Sequence, residues 1–115
     1  MLWNKRIAVL LLGAFASCPI TSALAAEVCP SKSGTFLRFL DVFDGSPEEL
    51  ATLIPEEVTE QTGYWKLGYV YDAGRFVTIR CEYADKQVLD VKLSKRIEQC
   101  DYTIDSQSKI HLDCK

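Results

Sequence analysis

The stretch FVTIRCEYADKQVLDVKL, residues 76–93, has the most regular alternation of apolar and polar residues in the chain. Successive side chains of a β-strand point to opposite faces, so this pattern predicts two half-buried strands. The short polar run 84–87 between them suits a hairpin connection. One face of the predicted hairpin carries its apolar residues, Val77, Ile79, Cys81, Tyr83, Leu89, Val91 and Leu93.

Similar runs of aromatic and branched residues predict further strands on both sides of this hairpin. The predicted strands span residues 35–43, 64–71, 76–83, 88–94, 98–104 and 109–114. The first of them has three apolar residues on each face, which indicates a strand covered on both sides or a bulge near Phe39. Short turns favour antiparallel order, so the expected fold is mainly β: a small antiparallel sheet, as a meander or a small barrel or sandwich.

One short helix is predicted after the turn at Asp44-Gly45. Ser46 and Glu49 have the spacing of a capping box, and Pro47 suits the first helical position. Leu50, Leu53 and Ile54 would form its apolar stripe. Pro55 disfavours helix at the residue before it, which limits this helix to about two turns. Capping also accounts for the adjacent acids Glu48 and Glu49 without invoking acid–base catalysis.

The first 25 residues have the order of a secretory signal peptide. Two basic residues, Lys5 and Arg6, precede an apolar run over residues 7–16 and a small-x-small site at residues 23–25. Ten residues of helix rise only ~15 Å, so a membrane span is not expected. We expect cleavage after Ala25, or one residue later, and a single domain over residues 26–115, with lipidation at Cys18 as the alternative.

Loss of Lys5 and Arg6 leaves 11 basic residues against 16 acidic ones in the mature chain, a net charge of −5. An acidic surface favours encounter with a basic protein and disfavours binding to nucleic acid or anionic lipid. The alternative interpretation is that the charge serves solubility alone.

Four cysteines remain after cleavage: Cys29, Cys81, Cys100 and Cys114. An even number in a small exported chain indicates a disulfide framework. Of the three connectivities we prefer Cys100–Cys114, because residues 98–104 and 109–114 look like the two arms of a hairpin. Cys29 would then pair with Cys81. Zinc binding is disfavoured, since no paired CxxC spacing is present.

The sequence offers no recognisable catalytic or cofactor-binding set. His111 is the only histidine and alternates with Ile110 and Leu112, which places it on the opposite, surface face of a strand. No nucleophile elbow, glycine-rich phosphate loop or calcium-loop spacing occurs. We therefore expect neither an enzyme nor a cofactor, and a protein that works by binding.

Several motifs together resemble a family of small exported bacterial proteins. They are Cys29-Pro30, DGSPEELATLIP at residues 44–55, Trp65, the strand with Cys81 and Tyr83, Cys100 and the C-terminal Cys114. That family is similar to type VI secretion immunity proteins found beside toxins of an L,D-transpeptidase-like fold that attack peptidoglycan. The resemblance implies a periplasmic protein that binds such a toxin and occludes its active-site cleft.

Loops and helix ends displayed by a rigid scaffold usually carry contact groups, and tyrosine is frequent at binding hot spots. On this basis the hypothesised partner-binding residues are Asp44, Glu48, Glu49, Glu56, Glu57, Glu60, Tyr64 and Tyr71. The plainer alternative is that the tyrosines pack in the core and the acids are only solvated. Two other functions fit the same features, an inhibitor of lysozyme or another basic cell-wall hydrolase and a structural envelope component.

Overall fold

The computed structural model describes residues 27–115, so the predicted signal peptide and Cys18 lie outside the described residues. This range is mainly β, as expected, with one short helix, α1 (Gly68–Asp72). Its strands are β1 (Leu37–Asp44), β2 (Glu57–Val58), β3 (Thr62–Lys66), β4 (Val77–Tyr83), β5 (Val88–Leu93), β6 (Gln99–Ile104) and β7 (Ile110–Cys114).

The strands form two antiparallel sheets, ordered β1-β4-β5 and β2-β3-β6-β7. A simple meander over all strands is therefore wrong, whereas a small two-sheet arrangement was among the expected architectures. Both sheets contribute to one core, since Val42 and Ile79 of the first cluster with Trp65 and Cys100 of the second. Apolar residues on one face of each sheet become buried by packing the two faces together.

The predicted hairpin is confirmed as β4 and β5. Ile79 lies opposite Val91, and Val77, Ile79 and Cys81 are 0% exposed. The connection is closed by a 2.9 Å hydrogen bond from the Tyr83 amide to the Gln87 carbonyl oxygen, and Lys86 has a positive φ of 71°. Alternation thus predicted the buried face of this hairpin correctly.

Strand β1 contains the bulge that its two apolar faces suggested. The pairing of β1 with β4 shifts register between Leu37 and Phe39. Leu37 and Val42 are buried, whereas Phe39 is 57% exposed. An extra residue at a bulge reverses which side chains face the core, and this explains why neither face of β1 is uniformly polar.

The predicted strand 64–71 is wrong beyond Lys66, because the chain turns there into α1. Leu67 and Val70 are each 1% exposed, and a separation of three residues places both on one side of a helical turn. This turn carries the chain from β3 in one sheet to β4 in the other. The aromatic alternation that suggested a strand instead leaves Tyr69 54% exposed.

The predicted helix after Gly45 is also wrong in extent, since only a 3-10 turn forms at Pro47–Glu49. Leu50 ends it in the left-handed conformation, with φ 58° and ψ 23°. The chain then runs beside β1, where the Asp44 amide bonds the Ala51 carbonyl oxygen at 2.9 Å and the Leu53 amide bonds that of Val42 at 2.7 Å. Pairing with β1 thus replaces the second helical turn.

Both predicted disulfides are confirmed. Cys100 and Cys114 lie directly opposite each other on β6 and β7, so their bond crosses one hairpin. Cys29 bonds Cys81 across a sequence separation of 52 residues and ties the start of the described chain to the central strand β4. All four cysteines are buried, which makes the bonds part of the core.

Candidate functional site

Residues 44–60, called here the acidic segment, connect β1 to β3 and contain six of the eight hypothesised partner-binding residues. Between Arg38 and Lys66 the sequence has no lysine or arginine. The segment therefore presents one sign of charge, and its acids are Asp44, Glu48, Glu49, Glu56, Glu57 and Glu60.

Arg75 clamps the first part of the acidic segment. Its Nε donates to Asp44 Oδ1 and its Nη2 to Glu49 Oε2, each at 2.7 Å. The Glu49 carboxylate also accepts from the Ser46 amide at 2.9 Å, which is the reciprocal bond of the predicted capping box. The Arg75 guanidinium, and secondarily the Ser46 amide, hold the pKa of Glu49 below its ordinary value.

Gly45 makes this clamp possible. Its φ is 85°, and a Cβ added there would lie 1.9 Å from Glu49 Oε2 and 2.3 Å from Arg75 Nη2. The Gly45 carbonyl oxygen accepts a 2.7 Å bond from the buried hydroxyl of Thr78, and its amide donates to the Phe76 carbonyl oxygen at 2.7 Å. The turn is therefore fixed against β4 by its backbone as well as by its acids.

The second part of the acidic segment is held by the other sheet. The Trp65 indole Nε1 donates to the Leu53 carbonyl oxygen at 3.1 Å, and the Glu56 amide donates to that of Tyr64 at 2.9 Å. Leu53 is half-buried against the core. Hydrogen bonds to both sheets thus fix the backbone along most of its length.

The remaining acids are free of such constraints. Glu48, Glu56, Glu57 and Glu60 are exposed, and none forms a salt bridge with another residue of the 27–115 range. The six acids therefore divide into two kinds. Asp44 and Glu49 hold the segment in place through Arg75, and the carboxylates of the other four are exposed and form no salt bridge with the described residues.

The two hypothesised tyrosines lie in different surroundings. Tyr64 is half-buried on β3, directly opposite Glu57 of β2, so the structure places it beside the acidic segment. Tyr71 is half-buried on α1 and donates its hydroxyl to the Leu93 carbonyl oxygen at 2.8 Å. Burial raises the pKa of Tyr71. Its hydroxyl joins α1 to the end of β5.

Sequence reasoning missed three exposed apolar side chains within the acidic segment. Leu50 is 82% exposed, Ile54 84% and Val58 61%. Leu50 and Ile54 were assigned to a buried helical stripe, whereas only Leu53 of that stripe packs against the core. The signal that could have located them is the pair Pro47 and Pro55, which leaves little room for a helix long enough to bury such a stripe.

An apolar groove of about 440 Å³ lies beside β1, and Ile54 is one of its lining residues. Trp65 and Tyr102 form part of its lining, with ring centroids 5.4 Å apart. Phe39 and Ile54, whose side chains are largely exposed, also line this groove. The exposed apolar surface of the acidic segment thus continues onto the neighbouring sheet edge.

The single histidine of the chain, His111, lies on the surface beside a carboxylate. His111 is exposed on β7, as expected, with its Nε2 3.0 Å from Asp105 Oδ2. This contact, with bonds from the Lys109 and Gln107 amides, lowers the pKa of Asp105. Residues 27–115 contain no group of three His, Cys, Asp or Glu side chains placed to hold a metal ion. None of the helices described has the length and apolarity needed to cross a membrane.

The family of this chain is shown by a match to a protein-family model. No curated protein matches the chain, and no solved structure matches it. The model for the type VI secretion system Tli immunity protein matches residues 31–115, which include all the strands described here, both of their sheets and the whole acidic segment. The chain therefore belongs to the family of type VI secretion system Tli immunity proteins.

Proposed function

We propose that this immunity protein acts in the periplasm, where it binds a peptidoglycan-targeting toxin of the L,D-transpeptidase-like kind and blocks its active-site cleft. Membership of the family implies a protein partner, the toxin. The compartment and the kind of toxin are the proposed steps. The immunity protein would protect its producer by occupying the toxin rather than by altering a substrate.

The observation that carries the periplasmic location is the pair of disulfides in the core, whereas the kind of toxin rests on the sequence resemblance. Such bonds form and persist in oxidising compartments and are rare in the reducing cytosol. A protein this small gains a large share of its stability from them. A chain that matures outside the cytosol meets its toxin there, and in a bacterium that space contains the peptidoglycan.

The acidic segment supports binding of a basic protein. Four exposed acids without a described salt-bridge partner lie within thirteen residues of sequence, from Glu48 to Glu60. Complementary charges speed encounter and suppress wrong partners. A toxin that acts on a cell wall rich in anionic groups would be expected to carry basic surface, which the acidic segment would meet.

The test expresses the product of the adjacent gene in the periplasm of a test bacterium, with and without this protein. We expect lysis and altered peptidoglycan cross-links, both abolished by the full-length protein. A variant lacking residues 1–25 should stay in the cytosol and fail to protect, which separates periplasmic from cytosolic immunity. A harmless gene product, or equal protection by the truncated variant, would contradict the proposal.

The same acidic surface favours one alternative, inhibition of lysozyme or another basic cell-wall hydrolase. A turbidity assay of cell-wall lysis separates the two functions. Inhibition of lysozyme at an equimolar amount of this protein would support the alternative, whereas unaffected lysis leaves the dedicated toxin as the partner.

A further inference from the structure

The three exposed apolar side chains of the acidic segment lie unusually close together in sequence. Six large apolar side chains in the 27–115 range are strongly exposed, and Leu50, Ile54 and Val58 account for three of them within nine consecutive residues. Single exposed apolar residues are ordinary on protein surfaces, whereas contiguous exposed apolar surface is typical of interaction sites, and Ile54 is continuous with the apolar groove beside β1.

Leu50 is unfavourable for the isolated fold in two respects. Its φ of 58° is a left-handed conformation that glycine and asparagine adopt more readily than leucine. Its side chain is 82% exposed, so burial of apolar surface does not offset the unfavourable backbone conformation. Strain of this kind in a non-glycine residue is found preferentially at functional sites. A binding contact would supply the gain that the free protein lacks.

The backbone that presents these side chains is held in place beforehand. Arg75 and Thr78 fix the start of the acidic segment, β1 fixes residues 51–53 and Trp65 fixes Leu53. Binding then orders few additional groups, which lowers its entropic cost. Apolar side chains on a fixed backbone are suited to insertion into a preformed pocket of a partner.

The flanking charges identify the chemistry of that pocket. Glu48 and Glu49 precede Leu50, and Glu56 and Glu57 lie between Ile54 and Val58. No basic residue occurs between Arg38 and Lys66. A partner that covers these apolar groups must therefore also meet a row of carboxylates, which lysine and arginine side chains at the pocket rim would satisfy.

We propose that Leu50 and Ile54, together with Val58 of β2, are the apolar anchors that enter a basic-rimmed cleft of the toxin. This inference rests on the proposed function, since it names the surface by which that toxin is bound. The two kinds of residue have different tasks. The anchors slow dissociation by burying apolar area, and Glu48, Glu56 and Glu57 accelerate association by charge.

The experiment measures binding of the purified product of the adjacent gene to this protein by surface plasmon resonance. In the double variant L50N/I54T, asparagine accepts the left-handed backbone and threonine keeps a β-branched residue before Pro55. Both sites are exposed, so the melting temperature should stay within about 3 °C of the wild type. We expect the dissociation rate constant to rise at least about tenfold.

V88T is the matched control, because Val88 is 53% exposed but lies on β5 outside the acidic segment. It should change the dissociation rate constant less than about twofold. The triple variant E48K/E56K/E57K should instead lower the association rate constant about tenfold and weaken its dependence on salt. These variants separate anchoring from electrostatic steering in the same complex.

The possible outcomes are distinct. Wild-type binding with an unchanged L50N/I54T dissociation rate would overturn the anchor assignment while leaving the proposed function intact. Absence of wild-type binding would overturn the proposed function and this inference together. An equal effect of V88T would also overturn the inference, because the loss would then be a general response to lost surface hydrophobicity.

Discussion

The hairpin of β4 and β5 and the acidic segment both carry regularly spaced apolar residues, but these residues are buried in the hairpin and exposed in the acidic segment. Val77, Ile79 and Cys81 are fully buried, whereas Leu50 and Ile54 are more than four-fifths exposed. The difference arises from packing, because the backbones of both regions are hydrogen-bonded to neighbouring strands. One face of the hairpin meets the core, whereas the acidic segment lies along the margin of both sheets.

The comparison shows that apolar periodicity predicts burial only where an element has a surface to pack against. Within residues 27–115 no surface covers Leu50 and Ile54, which are 82% and 84% exposed. We therefore proposed a role in binding for these residues, and we assign those of the hairpin to stability. Three measurements would sharpen or break this distinction.

The largest effect is expected from the disulfide that ties the hairpin to the start of the described chain. Replacing Cys29 and Cys81 together by alanine frees a loop of 52 residues, which costs ~4 kcal/mol in the chain-entropy model. The same change at Cys100 and Cys114 frees 14 residues, at a cost of ~3 kcal/mol. Urea unfolding of the two double variants would test this order, and the reverse order would mean that the hairpin is less central than its burial indicates.

A smaller effect, but the most direct test of the comparison, comes from two isoleucines. Ile79→Ala removes a fully buried side chain and should cost about 2–4 kcal/mol of unfolding free energy. Ile54→Ala removes one that is 84% exposed, and should change stability by less than about 0.5 kcal/mol. Chemical denaturation monitored by tryptophan fluorescence would measure both. A similar loss at Ile54 would assign the acidic segment to the folding core instead of to binding.

The smallest effect concerns pH, since an arginine pairs with carboxylates in each region: Arg75 with Asp44 and Glu49, and Arg80 with Asp90. Arg75 lowers the pKa of Glu49 in the acidic segment, and Arg80 lowers that of Asp90 across the hairpin. Because these pKa values are lower in the folded state, both pairs stabilise the fold above the ordinary values of 4.5 and 3.8. That contribution is lost as the pH falls through the folded values.

Carboxyl-carbon NMR titration would follow both groups of this pH test. In Arg75→Gln the pKa of Glu49 should return towards 4.5 and that of Asp90 should stay unchanged. The effect on stability should be slight, because exposed ion pairs contribute little. Equal displacement of both pKa values would show that the two regions are electrostatically coupled and cannot be treated separately.

Much of the fold was predictable because its signals are local. Alternation over residues 76–93 located the hairpin, and the two apolar faces of 35–43 indicated the bulge at Phe39. The spacing of Cys100 and Cys114 around a turn indicated their bond, which left Cys29 for Cys81. Each of these inferences needs only neighbouring residues or a count of cysteines.

The errors occurred where distant parts of the chain decide the outcome. The apolar–polar alternation of β3 continues through Tyr71, but the chain forms α1 from Gly68 to Asp72, because it must cross from one sheet to the other at that point. The predicted helix stops after one 3-10 turn, because β1 offers hydrogen bonds to Ala51 and Leu53. The bonds from Arg75 to Asp44 and to Glu49 could not be predicted from the sequence either, because Arg75 lies 31 residues after Asp44 and 26 residues after Glu49.

The sequence by itself determined the β class, the cysteine pairing, the charge of the acidic segment and the resemblance to immunity proteins. These properties depend on residue identity and short-range spacing, which are fixed before the chain folds. Only the tertiary structure decided which acids pair with Arg75 and which have no salt bridge with the described residues. It also decided that Leu50 and Ile54 face solvent. Those distinctions depend on which hydrogen-bond partners and apolar surfaces the packing of two sheets brings within reach of one connecting segment.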